Sequence, residues 1–249
     1  MYKSINVIFL NLALLCLLTT SCQQQLYYQY QGGFEQIDEQ INPDPETQAF
    51  VSPYKDKMDT EMNQIIGESS VQLTKESGES LLGNFVTDIQ KEFAEETFGY
   101  KLDISVMNNG GMRNELPEGP ITLGHIYELS PFDNYLVILE IKGTDVKKLA
   151  EFIARKKNMA VKGISFEVLE DKLISFQING KQVQDNQTYL LAINDYLANG
   201  GDDMEFLAGL PKKEDSNILL RDMLIKMIKK KTESGQKLSA QIEGRQIYK

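Results

Sequence analysis

The sequence predicts an α+β domain with a mixed sheet and packed helices. Apolar segments of strand length and amphipathic segments of helical period both occur, and they follow one another without the regular alternation that builds a parallel sheet. The 249 residues, 41% of them hydrophobic, suffice for one sizeable core with tails. We therefore expect a single folded domain over residues 54–249.

The elements follow from spacing and from end signals. The clearest helix begins after Ser80, a good N-cap, and turns one apolar face inward: Leu82, Phe85, Val86, Ile89 and Phe93. In chain order, helices are predicted at 54–66 (ended by Gly67), 81–98, 123–129 (capped by Thr122), 144–156 (begun by Thr144) and 217–231. Strands are predicted at 101–108, 135–142, 160–168, 173–178 and 188–194, with Asn179-Gly180 as a hairpin turn.

Charge and composition exclude several classes of function. The chain has 26 Lys and Arg against 36 Asp and Glu, a net charge of −10, so it repels phosphate polyanions and we expect no nucleic-acid partner. One histidine cannot supply the several imidazole ligands that a His-rich two-metal hydrolase needs. Two cysteines exclude a disulfide framework or a zinc site built from four cysteines. We therefore expect no metal site and no cofactor in this chain, and any phosphate site must be local.

The first 22 residues have the pattern of a bacterial lipoprotein signal. Lys3 precedes an apolar run, Ile5 to Leu18, that is shorter than the roughly 20 residues needed to span a bilayer, so residues 1–21 are predicted to be a signal peptide. LTTSC, ending at Cys22, resembles the lipobox, in which the cysteine is lipidated. An ordinary secretory signal with a leftover thiol is the alternative. The lipoprotein interpretation places the protein at the bacterial cell envelope, lipid-anchored at the membrane or periplasm.

Residues 22–53 are predicted to form a tether. They are rich in Gln, Tyr, Gly and Pro and show neither helical nor strand period. An aromatic cluster within them is compatible with a docking strip for a partner or with an arm packed on its own domain: Tyr27, Tyr28, Tyr30 and Phe34.

Two loops place chemistry-bearing residues at strand ends. Loop 107–114 delivers Asn108 and Arg113 around Gly110 and Gly111, and its free N–H groups and guanidinium fork suit phosphate or carboxylate. A glycine turn followed by a solvated Arg is the plain alternative. The second loop presents Phe132 after a proline, either as a core plug or as a ring that stacks on a ligand.

The third loop, 194–206, repeats this scheme. It carries Tyr196, then Gly200 and Gly201, then Asp202. An Asp at this position either caps a helix or accepts two hydrogen bonds from sugar hydroxyls.

Taken together and in order, the motifs are more specific than any single loop. The segments ESLLGN, NNGGMR, PIT, PFDN and YLANGGDD and the closing EGRQI resemble the C-terminal domain of the 5'-nucleotidase family, which includes bacterial UDP-sugar hydrolases. The resemblance covers about residues 54–249 and implies a single domain of the 5'-nucleotidase C-terminal type. Complete enzymes of this family pair such a domain, which holds the substrate nucleotide, with an N-terminal two-metal phosphoesterase domain.

The resemblance implies substrate-binding roles. Asn108 and Arg113 match the substrate-binding Asn and Arg of the family's N-G-G-G-I-R loop, the Arg acting through phosphate, and Gly111 matches a loop glycine. Phe132 matches one of the two aromatic residues between which the family stacks the base, and Asn134 matches an Asn that binds the base in bacterial members.

The third loop supplies the remaining residues that match the family's substrate-binding positions. Tyr196 stands where the family usually has a second Phe that stacks on the other side of the base, so the aromatic face is kept and a hydroxyl is gained. Asp202 matches the Asp that holds the ribose hydroxyls.

The sequence also departs from the family pattern. Asn109 replaces the first glycine of the loop, which stiffens the loop or requires a positive φ that Asn tolerates. A further family Arg has no counterpart, since Thr74, Lys75 and Glu76 stand there, with Lys75 as a substitute point charge. The Asp-x-His, Gly-Asn-His and His-x-His segments of the catalytic domain do not occur. The one histidine, His125, is expected mid-helix, packed or facing solvent.

These observations predict a nucleotide-recognition domain that serves nucleotide catabolism and has no catalytic residues of its own. Its expected partners are a nucleotide or nucleoside, a separate metallophosphoesterase that carries the divalent metals, and the membrane through its lipid anchor. A stand-alone envelope lipoprotein that binds nucleosides or nucleotides is the alternative. A relic that binds nothing is disfavoured, because Arg113, Phe132, Tyr196 and Asp202 are all present.

The lipobox makes the anchor testable. Mature protein from its own host should partition into detergent with acyl chains on Cys22, and Cys22→Ser should stay in the aqueous phase, because each buried methylene contributes about 0.8 kcal/mol to membrane attachment. Cys16→Ser is the matched control and should leave partitioning unchanged, since Leu15 precedes that cysteine where a lipobox has a small residue. Mass spectrometry locates the mature N-terminus, and a terminus other than Cys22 contradicts the lipoprotein interpretation.

Overall fold

The computed structural model describes residues 32–34, 36–38 and 41–249. The chain divides into two compact units, Met1–Gln48 and Ala49–Lys249, and the sheets and the site described below belong to the second. The predicted signal peptide 1–21, Cys22, Tyr27, Tyr28 and Tyr30 lie outside the described residues.

Helices and strands alternate irregularly, as the sequence predicts. The helices are α1 Pro45–Met62, α2 Leu81–Phe98, α3 Leu123–Leu129, α4 Gly143–Lys156, α5 Asp195–Ala198 and α6 Leu220–Glu233. The strands are β1 Ile65–Ser69, β2 Ile104–Asn108, β3 Gly119–Thr122, β4 Tyr135–Lys142, β5 Met159–Lys162, β6 Ile164–Leu169, β7 Lys172–Ile178, β8 Thr188–Asn194, β9 Lys212–Leu219 and β10 Gln246–Tyr248. Short 3-10 turns occupy Asn109–Gly111, Gly201–Asp203 and Glu205–Leu207.

The strands form one larger mixed sheet and two small ones. The larger sheet has the order β5-β2-β8-β4-β9, in which β2 and β8 are parallel and the other neighbours are antiparallel. The order β10-β6-β7 forms a three-stranded sheet, and β1 pairs with β3. The α+β class with a mixed sheet and packed helices is therefore confirmed.

The larger sheet is covered on both faces. Along β4, Leu136 and Ile138 face one core cluster, which contains the inner faces of α2 and α6. Val137, Leu139 and Ile141 alternate with them and face the other cluster, which contains the inner face of α4. Burial on both faces explains why β4 reads as a nearly continuous apolar run.

The predicted helix caps have mixed outcomes. Ser80 Oγ accepts a hydrogen bond from Gly83 N at 3.1 Å, and the predicted inner face of α2 is buried, so this prediction is confirmed. Thr122 caps α3 as predicted, but His125 lies in the first turn and not mid-helix. Its Nδ1 accepts from Thr122 N at 3.1 Å, which completes a capping box. The helix predicted to begin at Thr144 begins one residue earlier, with Lys142 as a cap residue that makes no side-chain hydrogen bond.

The first helix begins and ends earlier in the chain than the sequence predicts. It stops at Met62, and Ile65–Ser69 forms β1 against β3. Gly67 lies inside that strand, where a Cβ would approach Ile228 Cγ2 to 2.7 Å. The glycine is therefore needed for close packing on α6 and does not end a helix. The helix also starts at Pro45, so residues 45–53 are helical within the predicted tether.

Two further boundaries differ because long-range pairing overrides the local pattern. The segment 160–168 breaks at Gly163, which has φ +84°, into β5 and β6 of different sheets. The residues 217–219 lie in β9 and not in the last helix, which begins at Leu220. The hydrophilic strand β9 pairs with β4 at the edge of the sheet. It was not predicted because its polar composition gives no strand pattern. The turn at Asn179-Gly180 has φ +48° and +73° and is confirmed.

Arg245 ties the C-terminal segment to α2 and β5. Its side chain is 5% exposed and forms a two-oxygen contact with Asp88, at 2.8 and 2.9 Å from Nη2. Nη1 donates to Val161 O at 2.9 Å, and Nε donates to Glu243 Oε2 at 2.9 Å. The hydrogen bond from Arg245 lowers the pKa of Glu243 below its usual range. The closing EGR segment is thus a structural clamp.

Replacing this clamp should destabilise the domain. We expect Arg245→Met to lower the free energy of unfolding by about 2–3 kcal/mol, because several charge-assisted hydrogen bonds are lost. The cost stays below that of a fully buried pair because Asp88 is 39% exposed. Urea denaturation measures it. Lys249→Met, which removes an exposed pair with Glu167, is the control and should change stability by less than about 0.5 kcal/mol. Equal effects of the two substitutions would contradict a stabilising role for the Arg245 contacts.

Candidate functional site

The three predicted loops meet at one edge of the larger sheet. Strands β2 and β8 are parallel, so their C-terminal residues, Asn108 and Asn194, lie at the same edge. Strand β4 runs antiparallel to β8 with Leu136 opposite Asn194, so the loop before β4 arrives there too. The sheet topology therefore brings together segments that lie far apart in the sequence.

A cavity of about 310 Å³ opens between these loops. Every residue that the sequence analysis assigned to substrate binding lines it, together with Gly110: Asn108, Gly111, Arg113, Phe132, Asn134, Tyr196 and Asp202. The structure thus gathers the whole predicted set at one place.

The first loop turns through a short 3-10 segment, Asn109–Gly111. A Cβ at Gly111 would lie 2.7 Å from both Asn108 Oδ1 and Met107 Cε, so only glycine fits beside those side chains. Asn109 does not adopt a positive φ, so that interpretation of the Gly-to-Asn departure is wrong. Its backbone N–H donates to Asn158 O and its side chain donates to Glu76 O, both at 2.8 Å, and these bonds anchor the loop.

Arg113 follows this turn with an exposed side chain. Its backbone N–H donates to Leu129 O at 2.8 Å, and its Cζ lies 5.8 Å from the centre of the Phe132 ring. Within residues 41–249, no carboxylate forms a salt bridge with it. The guanidinium is therefore available to an anion at the cavity.

The substitute cation proposed for the missing family Arg lies behind this loop. Lys75 Nζ donates to Met112 O at 2.8 Å, and its backbone N–H donates to Glu115 Oε1. Lys75 is half-buried and does not line the cavity. In this structure it supports the backbone next to Arg113.

Asp202 lies at the centre of a hydrogen-bond network. Tyr196 Oη donates to its Oδ1 at 2.9 Å, and Asn108 Nδ2 donates to its Oδ2 at 2.8 Å. Asn194 Nδ2 donates to Asn108 Oδ1 at 3.1 Å, which orients the Asn108 amide. The Asp202 carboxylate therefore accepts from side chains of the site, and the helix-cap interpretation of this residue is wrong.

The backbone at Asp202 and the ring of Tyr196 are fitted to each other. Asp202 has φ +55°, a left-handed conformation that Asp tolerates better than most residues, and its N–H donates to Tyr196 Oη at 3.2 Å. A Cβ at Gly201 would lie 2.5 Å from the Tyr196 ring, so the ring packs closely against that glycine. The third loop thus fixes the ring and the carboxylate relative to each other.

Both aromatic side chains face solvent in part. Phe132 and Tyr196 are each 47% exposed, so the interpretation of Phe132 as a core plug is wrong. The hydrogen bond to Asp202 raises the pKa of Tyr196 above its usual value. The neighbouring Asp203 pairs with Lys156, and this hydrogen bond lowers the pKa of Asp203.

Two supporting residues were missed by the sequence reasoning. Asn194 is fully buried, and besides orienting Asn108 it caps α5 by accepting from Leu197 N at 2.8 Å. An Asn that ends an apolar strand is the signal that could have found it. Arg221, on α6, contacts the loop that carries Phe132 and gave no local signal.

Two features are absent from the part of the chain that the structure describes. No group of three or more His, Cys, Asp or Glu side chains is arranged to hold a metal ion among those residues. None of the helices so described is both long and apolar enough to cross a membrane.

Comparison with known proteins places the domain. The family model for the 5'-nucleotidase C-terminal domain matches residues 61–209. A trifunctional nucleotide phosphoesterase protein of Bacillus subtilis is 27% identical over 84% of this chain and 15% of its own length. A cell wall protein of Listeria monocytogenes is 25% identical over 84% of this chain and 30% of its own.

A solved structure agrees with these sequence matches. The crystal structure of a 5'-nucleotidase precursor from Thermus thermophilus superposes with a TM-score of 0.69 and 25% identity, over 81% of this chain and 42% of that one. The chain spans less than half of the length of curated relatives that it matches, from 13% to 42%. Since the family model covers more than half of the sequence and the fold agrees, the chain belongs to the 5'-nucleotidase C-terminal domain family.

Proposed function

We propose that this domain recognises a nucleoside or nucleotide in the cavity and presents it to a separate metallophosphoesterase. The observation that carries the proposal is the convergence of two half-exposed rings, Phe132 and Tyr196, with the Asp202 carboxylate and the Arg113 guanidinium on one cavity of about 310 Å³. Each group matches a different part of a nucleotide.

The base is proposed to stack on the two rings. Base–aromatic stacking contributes roughly 1–3 kcal/mol per base in proteins that bind single-stranded nucleic acids. Phe132 and Tyr196 are each about half exposed, which supports a role other than core packing. Asn134 lines the same cavity and offers an amide to the edge of the base.

The ribose is proposed to bind Asp202. A carboxylate has about four lone-pair sites. Tyr196 and Asn108 each use one, on different oxygens, so each oxygen keeps acceptor capacity for a hydroxyl group. This arrangement fits the two neighbouring hydroxyls of a ribose.

The phosphate is proposed to bind Arg113. The protein carries a net charge of −10, so an anion needs a local cation, and Arg113 is exposed at the cavity without a salt-bridge partner among the described residues. The backbone of the glycine turn adjoins it at Gly110 and Gly111. Two glycines leave the chain open to close approach by an anion.

Hydrolysis is proposed to need groups supplied from elsewhere. Metal-dependent phosphoester hydrolysis needs several metal ligands such as histidines, and the sequence has one histidine, His125, whose side chain completes the capping box of α3. The residues that the structure describes therefore do not fit the metal centre that the family implies. The length of the phosphoesterase relatives supports a division in which a further domain or protein carries the metals.

The stand-alone binding lipoprotein remains the second candidate. It is supported by the hydrogen-bond network around Asp202, whose donors all belong to this chain. For either function we propose a lipid anchor at Cys22 and a place in the bacterial envelope. The match to a Listeria cell wall protein supports that location.

Stacking of the base on Phe132 and Tyr196 predicts a pattern of ligand affinities. Calorimetric titration should show adenosine and AMP binding with micromolar to millimolar affinity, and Phe132→Ala should weaken adenosine binding about 5-fold to 140-fold, the range that stacking allows. Ribose 5-phosphate should bind wild type and Phe132→Ala alike. Tyr196→Ala should behave in the same direction, with additional loss because its hydroxyl also orients Asp202.

A control and a contrary outcome accompany this prediction. Phe50→Ala removes an exposed ring of α1 that does not line the cavity, and it should leave all three affinities unchanged. Variants that melt early, from a wild type that never bound adenosine, would show that these rings serve folding only.

Catalysis provides a separate prediction. The purified mature protein with Mn²⁺, Zn²⁺ or Co²⁺ should release no phosphate from AMP or UDP-glucose above a blank. Addition of the cognate phosphoesterase should produce turnover that Arg113→Ala lowers and that Arg113→Lys restores in part, because lysine keeps the charge but not the fork. Metal-dependent turnover by this chain alone, abolished by a substitution within it, would contradict the proposal.

A further inference from the structure

The loop that carries Phe132 is gripped by a residue outside the cavity. Arg221, the second residue of α6, donates from Nη1 to Ser130 O at 3.1 Å and from Nη2 to Asp133 Oδ1 at 2.7 Å. These two acceptors lie on opposite sides of Phe132 in the sequence. The guanidinium therefore brackets the segment that presents the ring.

The start of α6 also contacts the end of this loop. Leu220 N donates to Asn134 O at 2.9 Å. Arg221 is held in place by the ring of Tyr127, whose centre lies 4.7 Å from its Cζ, and its side chain is 12% exposed. Because Phe132 is 47% exposed, packing restrains its ring little, and the backbone around it must set its position.

The energetics argue that Arg221 serves loop geometry more than overall stability. Its Nε is buried without a hydrogen-bond partner in the described structure, and such burial is unfavourable. Its partner Asp133 is 72% exposed, and ion pairs with so exposed a member add little to stability. An apolar side chain over Tyr127 would satisfy packing without these costs, but it could not hold two points of the loop.

We propose that Arg221 is a positioning residue for base recognition: it fixes the loop 130–134 so that Phe132 meets the base. The proposal rests on the proposed function of the cavity. Arg221 does not line the cavity, and its two Nη atoms are both engaged with the loop, so it acts through Phe132 and not on the ligand.

The test is a double-mutant cycle between Arg221 and Phe132. Adenosine and ribose 5-phosphate are titrated into wild type, Arg221→Met, Phe132→Ala and the double variant. Arg221→Met should weaken adenosine about tenfold, equivalent to about 1.4 kcal/mol, and leave ribose 5-phosphate unchanged. In the Phe132→Ala background it should have almost no further effect, because a positioned ring is then absent.

Three variants separate positioning from general damage. Arg221→Lys keeps the charge but reaches one acceptor, and it should restore part of the affinity. Asp133→Asn, at the exposed end, should weaken adenosine in the same direction but less, and it serves if Arg221→Met fails to fold. Arg155→Met is the matched control, since Arg155 lies 5.9 Å from the centre of a ring, Phe152, that does not line the cavity.

A second measurement needs no ligand. Hydrogen exchange of the Leu220 and Tyr135 amides, which bond to Asn134 O and to Asp195 Oδ1, should be faster in Arg221→Met while the melting temperature changes little. Unchanged exchange together with unchanged adenosine affinity would overturn the positioning role. So would equal losses for adenosine and ribose 5-phosphate, or losses that add to those of Phe132→Ala. A wild type that binds no adenosine would overturn the proposed function itself, and base recognition with it.

Discussion

The site depends on one constraint, the pairing of β8 with β2 on one side and with β4 on the other. The parallel register with β2 sets Asn108 and Asn194 at the same edge, and the antiparallel register with β4 brings the loop before Tyr135 to them. A one-residue slip of β8 would turn Asn194 and its neighbours to the opposite face. Both core clusters draw side chains from these strands, so the burial that stabilises the sheet also fixes the site.

Within that frame, the Asp202 carboxylate links the parts of the cavity. It accepts from Tyr196 and from Asn108, so an aromatic ring of the third loop and an amide of the first loop are tied to one acidic group. The tyrosine therefore does more than replace a phenylalanine, since its hydroxyl couples the proposed base and ribose positions. Arg113 supplies a local positive charge at the cavity of an otherwise acidic protein, which the proposed phosphate site requires.

Local signals in the sequence predicted the fold where the interactions are local. The cap at Ser80, the buried face of α2 and the turn at Asn179-Gly180 depend on neighbours within a few residues, and all are confirmed. The elements that were misplaced depend on distant partners. Strand β9 is hydrophilic and exists because it pairs with β4, and Gly67 lies in β1 because the strand packs against α6.

The α+β class, the family and the residues that line the cavity could be predicted from the sequence, because motif residues at close backbone approaches keep their identity and order. The three-dimensional structure was needed to see how these residues interact. It showed that Phe132 is exposed, that Asp202 is bound by Tyr196 and Asn108, and that Arg221 grips Asp133 from a helix position 88 residues further along the chain. Such contacts could not be predicted, because hydrogen bonds and packing between distant segments depend on strand register and helix placement, which leave no periodic signal in the chain.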